Sequence, residues 1–375
     1  MMNYTGERDT VWRQIEKAER LIIYGAQVVA YGVYVAIKEV IGRMPEAFVV
    51  SSIDNNPLII DGILVIEFNE NISSSSLVIV ATPEIYHEDI KNKLEQLGIG
   101  KSLYVDTHME YLIMSEYFRK KGRFTLLEDI PTLKYNESIQ LSERDKDLSG
   151  VNMHMAKFHR DPILIGDYHI PSWIQPIQVG AALTDNRISG LQDNTGDNIS
   201  YKNPNYSELT AMYWVWKNRS DEYMGICHYR RMLVLDNNDI SKIKQNHINV
   251  VLPLPFVCYP DTSGQYGRYI SIEDQQKMFL ALKEVSPEYY ELAKQILKES
   301  YLYNYNMFLA DCQTYNDFCN WLFPILKRAE ELCEPDGEVR KDRYIGYLGE
   351  VLTTIYFICN RNNLKIAHVE KKWMV

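Results

Sequence analysis

The chain has 375 residues, 46% of them hydrophobic and 24% charged, a length at which single cores usually divide and a balance ordinary for globular proteins. A formal net charge of −10 excludes a nucleic-acid binder, which needs a basic face, but leaves room for a local cationic pocket around a small anion. Six cysteines without CxxC spacing read as reduced core thiols of a cytoplasmic protein, and most of the 27 tyrosines read as half-buried core, with sugar stacking as the alternative.

The start, "MMNYTGERDTVWRQ", is polar and unlike a signal peptide. "RLIIYG" (20–25) reads as a short buried strand ending in glycine, and "AQVVAYGVYVAIKEVI" (26–41) follows with helical spacing. "EAFVVSS" (46–52) is a second strand, leading into the turn Asp54-Asn55-Asn56-Pro57. "SLVIVAT" (76–82) is a third strand, "PEIYHEDIKNKLEQLGI" (83–99) a helix, and "KSLYVD" (101–106) a fourth strand. This βαβ rhythm predicts a parallel sheet with helices on its faces. It also explains the uncharged run Leu21–Ile37 better than a membrane span does, since Gly25, Gln27 and Gly32 interrupt that run.

The turn Gly25-Ala26-Gln27-Val28-Val29-Ala30 keeps the first and last positions of the dinucleotide fingerprint G-x-G-x-x-G/A. Gln27 stands where the middle glycine would let the backbone approach a pyrophosphate. A packing or partner-contact module and a nucleotide site are both open at this point. Between Arg119 and Gly150 the composition turns polar and charged, which predicts a Rossmann-like domain over 1–125, a linker over 126–150 and a second domain over 151–375. The sequence Asp145-Lys146-Asp147 in this linker reads as a solvated charge run rather than a metal site.

In the second part a proline-punctuated loop precedes a strand near 176–181, and the Gly/Asn/Asp-rich stretch Asp193–Asn203 is a loop. Asn205 is expected to cap the next helix, with Glu208 in the capping-box position and Leu209, Tyr213 and Trp216 on the apolar face. Tyr223–Cys227 reads as a buried strand, followed by His228, Tyr229, Arg230 and Arg231 and then by apolar Met232–Leu235. Cations between two apolar runs are costly to bury without a purpose. Open α/β sheets place ligand groups at strand ends, and arginine gives phosphate bidentate bonds without ever losing its charge. The stretch therefore reads as a diphosphate clamp; the alternative is a structural bridge from one arginine to an acid such as Asp197. Further on, 316–333 is an amphipathic helix. Residues 362–375 form a closing strand and basic tail, whose Lys371, Lys372 and Trp373 suit a membrane surface or simply an exposed terminus.

Four segments, "DNTGDNISYKNPNYSELTAMYWVWKN", "YMGICHYRRML", "YNYNMFLADCQTYNDFCNWLFPIL" and "YIGYLGEVLTTIYF", together resemble the DUF4422 family of bacterial capsular and exopolysaccharide glycosyltransferases. The resemblance covers roughly 155–370, and the N-terminal part resembles a Rossmann-like module attached to some polysaccharide-biosynthesis enzymes. It implies an α/β protein, with an N-terminal Rossmann-like parallel sheet domain followed by a GT-A-like glycosyltransferase domain. It also implies a cytoplasmic enzyme, working at the inner face of the membrane, that moves a sugar from a UDP-sugar to a growing lipid-linked glycan. Galactofuranose is the first guess. A non-catalytic sugar-nucleotide-binding or scaffold protein of the same pathway is the alternative.

Carried over by position, the resemblance puts Asp197, Asn198, Lys202 and Asn203 in a donor loop, His228, Arg230 and Arg231 at the diphosphate, and Asn306 beside the acceptor. Glu350 would approach the reacting centre. The family often has arginine after this glutamate, where this chain has Val351, with Arg343 as the substitute cation. An inverting transferase needs a carboxylate to deprotonate the acceptor hydroxyl, and Glu350 and Asp311 are the candidates. Glu208 ranks lower because helix capping accounts for it; a salt bridge from Glu350 to Arg343 or Arg340 is the structural alternative. With no D-x-D at a strand end, a donor site in which protein cations replace a divalent ion is expected. Asp193 and Asp197 are the alternative as ligands of Mg²⁺ or Mn²⁺.

Overall fold

The computed structural model describes residues 4–69, 74–132, 148–166, 168–335, 337 and 340–374. Asp145-Lys146-Asp147 lies outside them. The chain divides into two compact units, Met1–Phe124 with Phe256–Pro260, and Thr125–Pro255 with Asp261–Val375.

The first unit is built on the strands β1 (Arg20–Tyr24), β2 (Ala47–Val50), β3 (Ile59–Ile60), β4 (Ile63–Glu67), β5 (Ser76–Val80) and β6 (Ser102–Tyr104). They lie in the order β3-β4-β2-β1-β5-β6, and all neighbours are parallel except the β3–β4 hairpin. Without β3 this is the Rossmann order 3-2-1-4-5. β1, β2 and β5 are nearly continuous apolar runs because both faces are covered. The hairpin 59–67 is an addition to the predicted strands; its Asp61 and Gly62 both turn with positive φ.

At the switch point between β1 and β5, Gly25 has φ +123°, and a Cβ there would lie 2.6 Å from the Ala81 carbonyl oxygen. Only glycine passes. Gln27, in the middle-glycine place, donates its side-chain amide to Asn56 Oδ1 at 2.7 Å. The turn is thus tied to the loop after β2.

The second unit has a mixed sheet. β7 (Val151–Lys157), β8 (Ile174–Gln178), β9 (Leu191–Gln192) and β10 (Tyr223–His228) are parallel. The strand Phe308–Asp311 runs antiparallel to β10, followed by Val250–Pro253 and Ile366–Val369. β11 (Arg231–Leu233) leaves the end of β10 and pairs with Lys371–Trp373. The C-terminal segment is therefore a strand laid beside the arginine pair, not a loose basic tail.

Helices Leu209–Asn218, Cys312–Cys333 and Tyr344–Cys359 pack together, the last two through rings that include Phe308, Phe318, Tyr356 and Phe357. This is the GT-A-like layer arrangement, with the ends of β7 and β10 open for a site. Among the described residues no helix is long and apolar enough to cross a membrane.

Candidate functional site

The site is organised by a two-residue turn just before the strand Phe308–Asp311. Tyr305 and Asn306 have φ +72° and +47°, the left-handed region that side chains seldom occupy. Each such residue costs about 1–3 kcal/mol and persists only where its surroundings fix it. Here they do. The Tyr305 N–H donates to Glu350 Oε1 at 2.9 Å, and its carbonyl accepts from His228 Nε2 at 2.5 Å. Asn306 is buried; its amide donates to Glu208 Oε1 at 2.7 Å and to the Gly346 carbonyl at 3.0 Å, and its Oδ1 accepts from the Thr353 hydroxyl at 3.3 Å.

The sequence "GYLGE" makes this possible. A Cβ at Gly349 would stand 2.8 Å from Leu209 Cδ1 and 3.1 Å from Asn306 Oδ1, so glycine is what lets the helix Tyr344–Cys359 approach the turn. Ser207 (φ +50°) and Arg343 (φ +64°) adjoin it, joined by Arg343 Nε to Ser207 Oγ at 3.0 Å. Four of the seven non-glycine residues with positive φ among those described are thus gathered here.

The electrostatics follow from burial. Glu350 is pushed up to about 8, first by burial and then by the neighbouring Glu208 carboxylate; the Tyr305 N–H, Arg231 and Arg343 pull the other way. Burial lowers His228, whose Nε2 donates to the Tyr305 carbonyl.

Beside this turn lies a cavity of about 420 Å³. Its wall includes Glu208, His228 and Asn203 together with Arg160, Lys341 and Arg343. None of these three cations forms an ion pair among the described residues. Asp161 and Glu208 line the same wall, so three cations stand against two carboxylates there, a local excess of positive charge in a chain of net charge −10.

Of the residues singled out in the sequence, His228 and Asn203 line the cavity and Glu350 stands at the turn. Arg230 and Arg231 do not line it. Arg231 lies 4.2 Å over the Tyr305 ring and 4.9 Å from that of Trp373, and Arg230 is set against Tyr229 and Trp373. Among the described residues neither forms an ion pair, although Arg230 acts electrostatically on Asp161 and Arg231 on Glu350, and the Nε of each is buried without a hydrogen bond. They stand directly after the wall residues His228 and Tyr229, as fixed charge behind the cavity. The bridge to Asp197 is absent: Asp197 is exposed and accepts from the Tyr213 hydroxyl at 3.2 Å.

Several expectations need correcting. Asn198 closes its own loop, donating to the Gly196 carbonyl and accepting from the Ser200 N–H. Lys202 pairs with Glu330. Neither reaches the cavity wall. Asp311 caps the helix Cys312–Cys333 through the Thr314 N–H at 2.7 Å, and it pairs in register with Tyr223, at the far end of β10 from His228. Asn306 is too deeply buried and too fully bonded to contact an acceptor, and instead positions Glu208.

The capping box also fails. Asn205 lies inside the short helix Asn203–Tyr206 and donates to Glu334, which leaves the Glu208 side chain for the site. The salt-bridge alternative for Glu350 fails as well, since Arg340 forks onto Asp274 and Arg343 bonds Ser207. Val351 faces the core, whereas Arg343 acts electrostatically on Glu350. As a metal ligand Asp193 is already committed: it accepts from the Gly180 and Ala181 N–H groups and from the Ser200 and Thr210 hydroxyls. Among the described residues no group of three His, Cys, Asp or Glu side chains is gathered as a metal cage.

Residues 166–362 match DUF4422, described as a domain of unknown function, and since this is just over half of the chain the protein belongs to that family. The chain is similar to the apo structure of WbbM, a bifunctional glycosyltransferase, at 28% identity and a TM-score of 0.52. That likeness covers 60% of this chain and 45% of WbbM, so the chain spans less than half of that protein. Core-mannan synthase A (CmsA/Ktr4) from Aspergillus fumigatus, in its Mn/GDP form, aligns over 92% of this chain and 71% of its own at 11% identity and a TM-score of 0.19, too low to carry an argument. No curated protein matches the chain.

Proposed function

We propose that this member of the DUF4422 family is a glycosyltransferase, with a nucleotide-sugar diphosphate in the cationic cavity and Glu350 as the base that activates the acceptor. The observation that carries the reading is the juxtaposition of Arg160, Lys341 and Arg343 with the Glu208–Glu350 pair. The likeness to a bifunctional glycosyltransferase supports it. In the step, Glu350 takes the proton of an acceptor hydroxyl and the acceptor oxygen bonds to the anomeric carbon. The bond from that carbon to the phosphate oxygen breaks, and the nucleoside diphosphate leaves with the electron pair. Fixed cations stabilise the charge that grows on it. Burial and Glu208 raise the basicity of Glu350 toward the operating pH, where a base works best.

The donor is a UDP-sugar in this reading, with galactofuranose tried first, and the acceptor a glycan, lipid-linked in the cell. The test is release of UDP from a panel of UDP-sugars, UDP-galactofuranose included, each with and without EDTA or Mn²⁺. Turnover of one donor supports the reading. UDP binding with no turnover of any donor, offered with glycan acceptors, supports a non-catalytic binding protein instead.

A further inference from the structure

Outside the cavity wall and near Glu350, two tyrosines are stacked. Tyr269 and Tyr347 have ring centroids 5.3 Å apart with planes at 21°. Tyr347 precedes Glu350 by three residues on the helix Tyr344–Cys359, which puts both on one face. Tyr269 comes from the segment between the helices Thr262–Tyr266 and Ile272–Val285 and is 57% exposed. Its electrostatic neighbours are Arg268, Tyr305, Tyr347 and Glu350. Neither tyrosine is in the cavity wall, so the pair presents a surface of its own beside Glu350.

An aromatic ring held rigid on one face and open on the other is a platform for a flat, partly apolar partner. A base sandwiched between the two rings is ruled out, because they are already in contact. A sugar ring suits the free face: its C–H hydrogens carry partial positive charge and meet the negative π face, while its hydroxyls stay within reach of Arg268 and the carboxylate. We infer that the free face of Tyr269, backed by Tyr347, is a glycan-binding platform that brings an acceptor hydroxyl to Glu350. The inference rests on the transferase reading above and deepens it.

The test is saturation-transfer-difference NMR on the full chain with UDP and the methyl glycosides of galactose, glucose, mannose and N-acetylglucosamine. The wild type is expected to give signal for at least one glycoside. Tyr269→Phe should retain it, and Tyr269→Leu, which keeps apolar bulk but no ring, should lose about fivefold or more. The UDP signal should be the same in all three proteins and reports an intact fold. Glycoside signal as strong in Tyr269→Leu as in the wild type, or none in a wild type that binds UDP, overturns the platform. A wild type that takes up glycoside but not UDP overturns the donor reading and leaves the platform standing.

Discussion

Glu350 and His228 are joined through a single residue: the Tyr305 N–H donates to Glu350 and the Tyr305 carbonyl accepts from His228. The next residue, Asn306, holds Glu208. Three side chains distant in sequence are therefore fixed by one strained turn. Positions that must be held to within fractions of an ångström are where backbone strain is retained.

This arrangement makes Glu350 and Glu208 inequivalent under mutation. Glu350→Gln should lower transfer by about 10²–10⁴-fold while UDP affinity changes little. Glu208→Gln should act differently, through pH. The Glu208 carboxylate raises Glu350, so removing it lowers the Glu350 value. Glu350 must be ionised to accept a proton. The rising limb of the rate profile, near pH 8 in the wild type, should accordingly move to lower pH. A limb that stays in place would show that the two groups are not coupled.

The same shift has a consequence for stability. The carboxyl of Glu350 is raised from 4.5 to about 8 by folding, so between those values the native protein holds a proton that the unfolded chain has released. Stability must then fall as pH rises through that window. Glu350→Gln removes the effect. Its melting temperature relative to the wild type should rise by a few degrees from pH 5 to pH 9, measured by calorimetry. A constant difference across that range would show that folding does not perturb Glu350.

Gly349→Ala tests the close approach of helix and turn. The added methyl would lie 2.8 Å from Leu209 Cδ1 and 3.1 Å from Asn306 Oδ1. Such overpacking costs about 1–3 kcal/mol. Since one of the two crowded atoms belongs to Asn306, which holds Glu208, the rate should fall along with the denaturant midpoint.

Two aspartates of one loop should separate cleanly. Asp193 is fully buried and accepts four hydrogen bonds, so Asp193→Ala should cost about 3 kcal/mol or more by leaving buried donors unpaired. Asp197 is exposed with one side-chain bond, from Tyr213, and Asp197→Ala should stay within about 0.5 kcal/mol. Urea unfolding measures both.

The strands of the first unit were legible because β1, β2 and β5 are uninterrupted apolar runs between glycine and proline signals. The hairpin at 59–67 was not, since β3 is two residues long and β4 is only partly buried. In the second unit, His228, Asn203 and Glu350 could be picked out, but the residue that unites the site could not. Nothing local marks Tyr305 as left-handed; its φ is imposed by Glu350 and His228, both distant in sequence. The role of the Glu208 side chain escapes local reading for a similar reason. Asn205-x-x-Glu208 fits a capping box, yet tertiary contacts with Glu334 and Asn306 draw both side chains elsewhere. The aromatic partners that turn Arg230 and Arg231 from the wall, Tyr305 and Trp373, lie more than seventy residues away in sequence.

In the proposed function Arg160, Lys341 and Arg343 of the cavity wall hold the donor diphosphate. Isothermal titration of UDP into the wild type and into Arg160→Gln/Arg343→Asn measures it most directly. Asparagine is chosen at 343 because it tolerates the left-handed backbone there. Charge-assisted bonds to phosphate are the strong ones, so the double variant should bind UDP about a hundredfold more weakly while keeping the wild-type far-UV spectrum. Equal affinity in the two proteins would show that these cations do not hold the diphosphate.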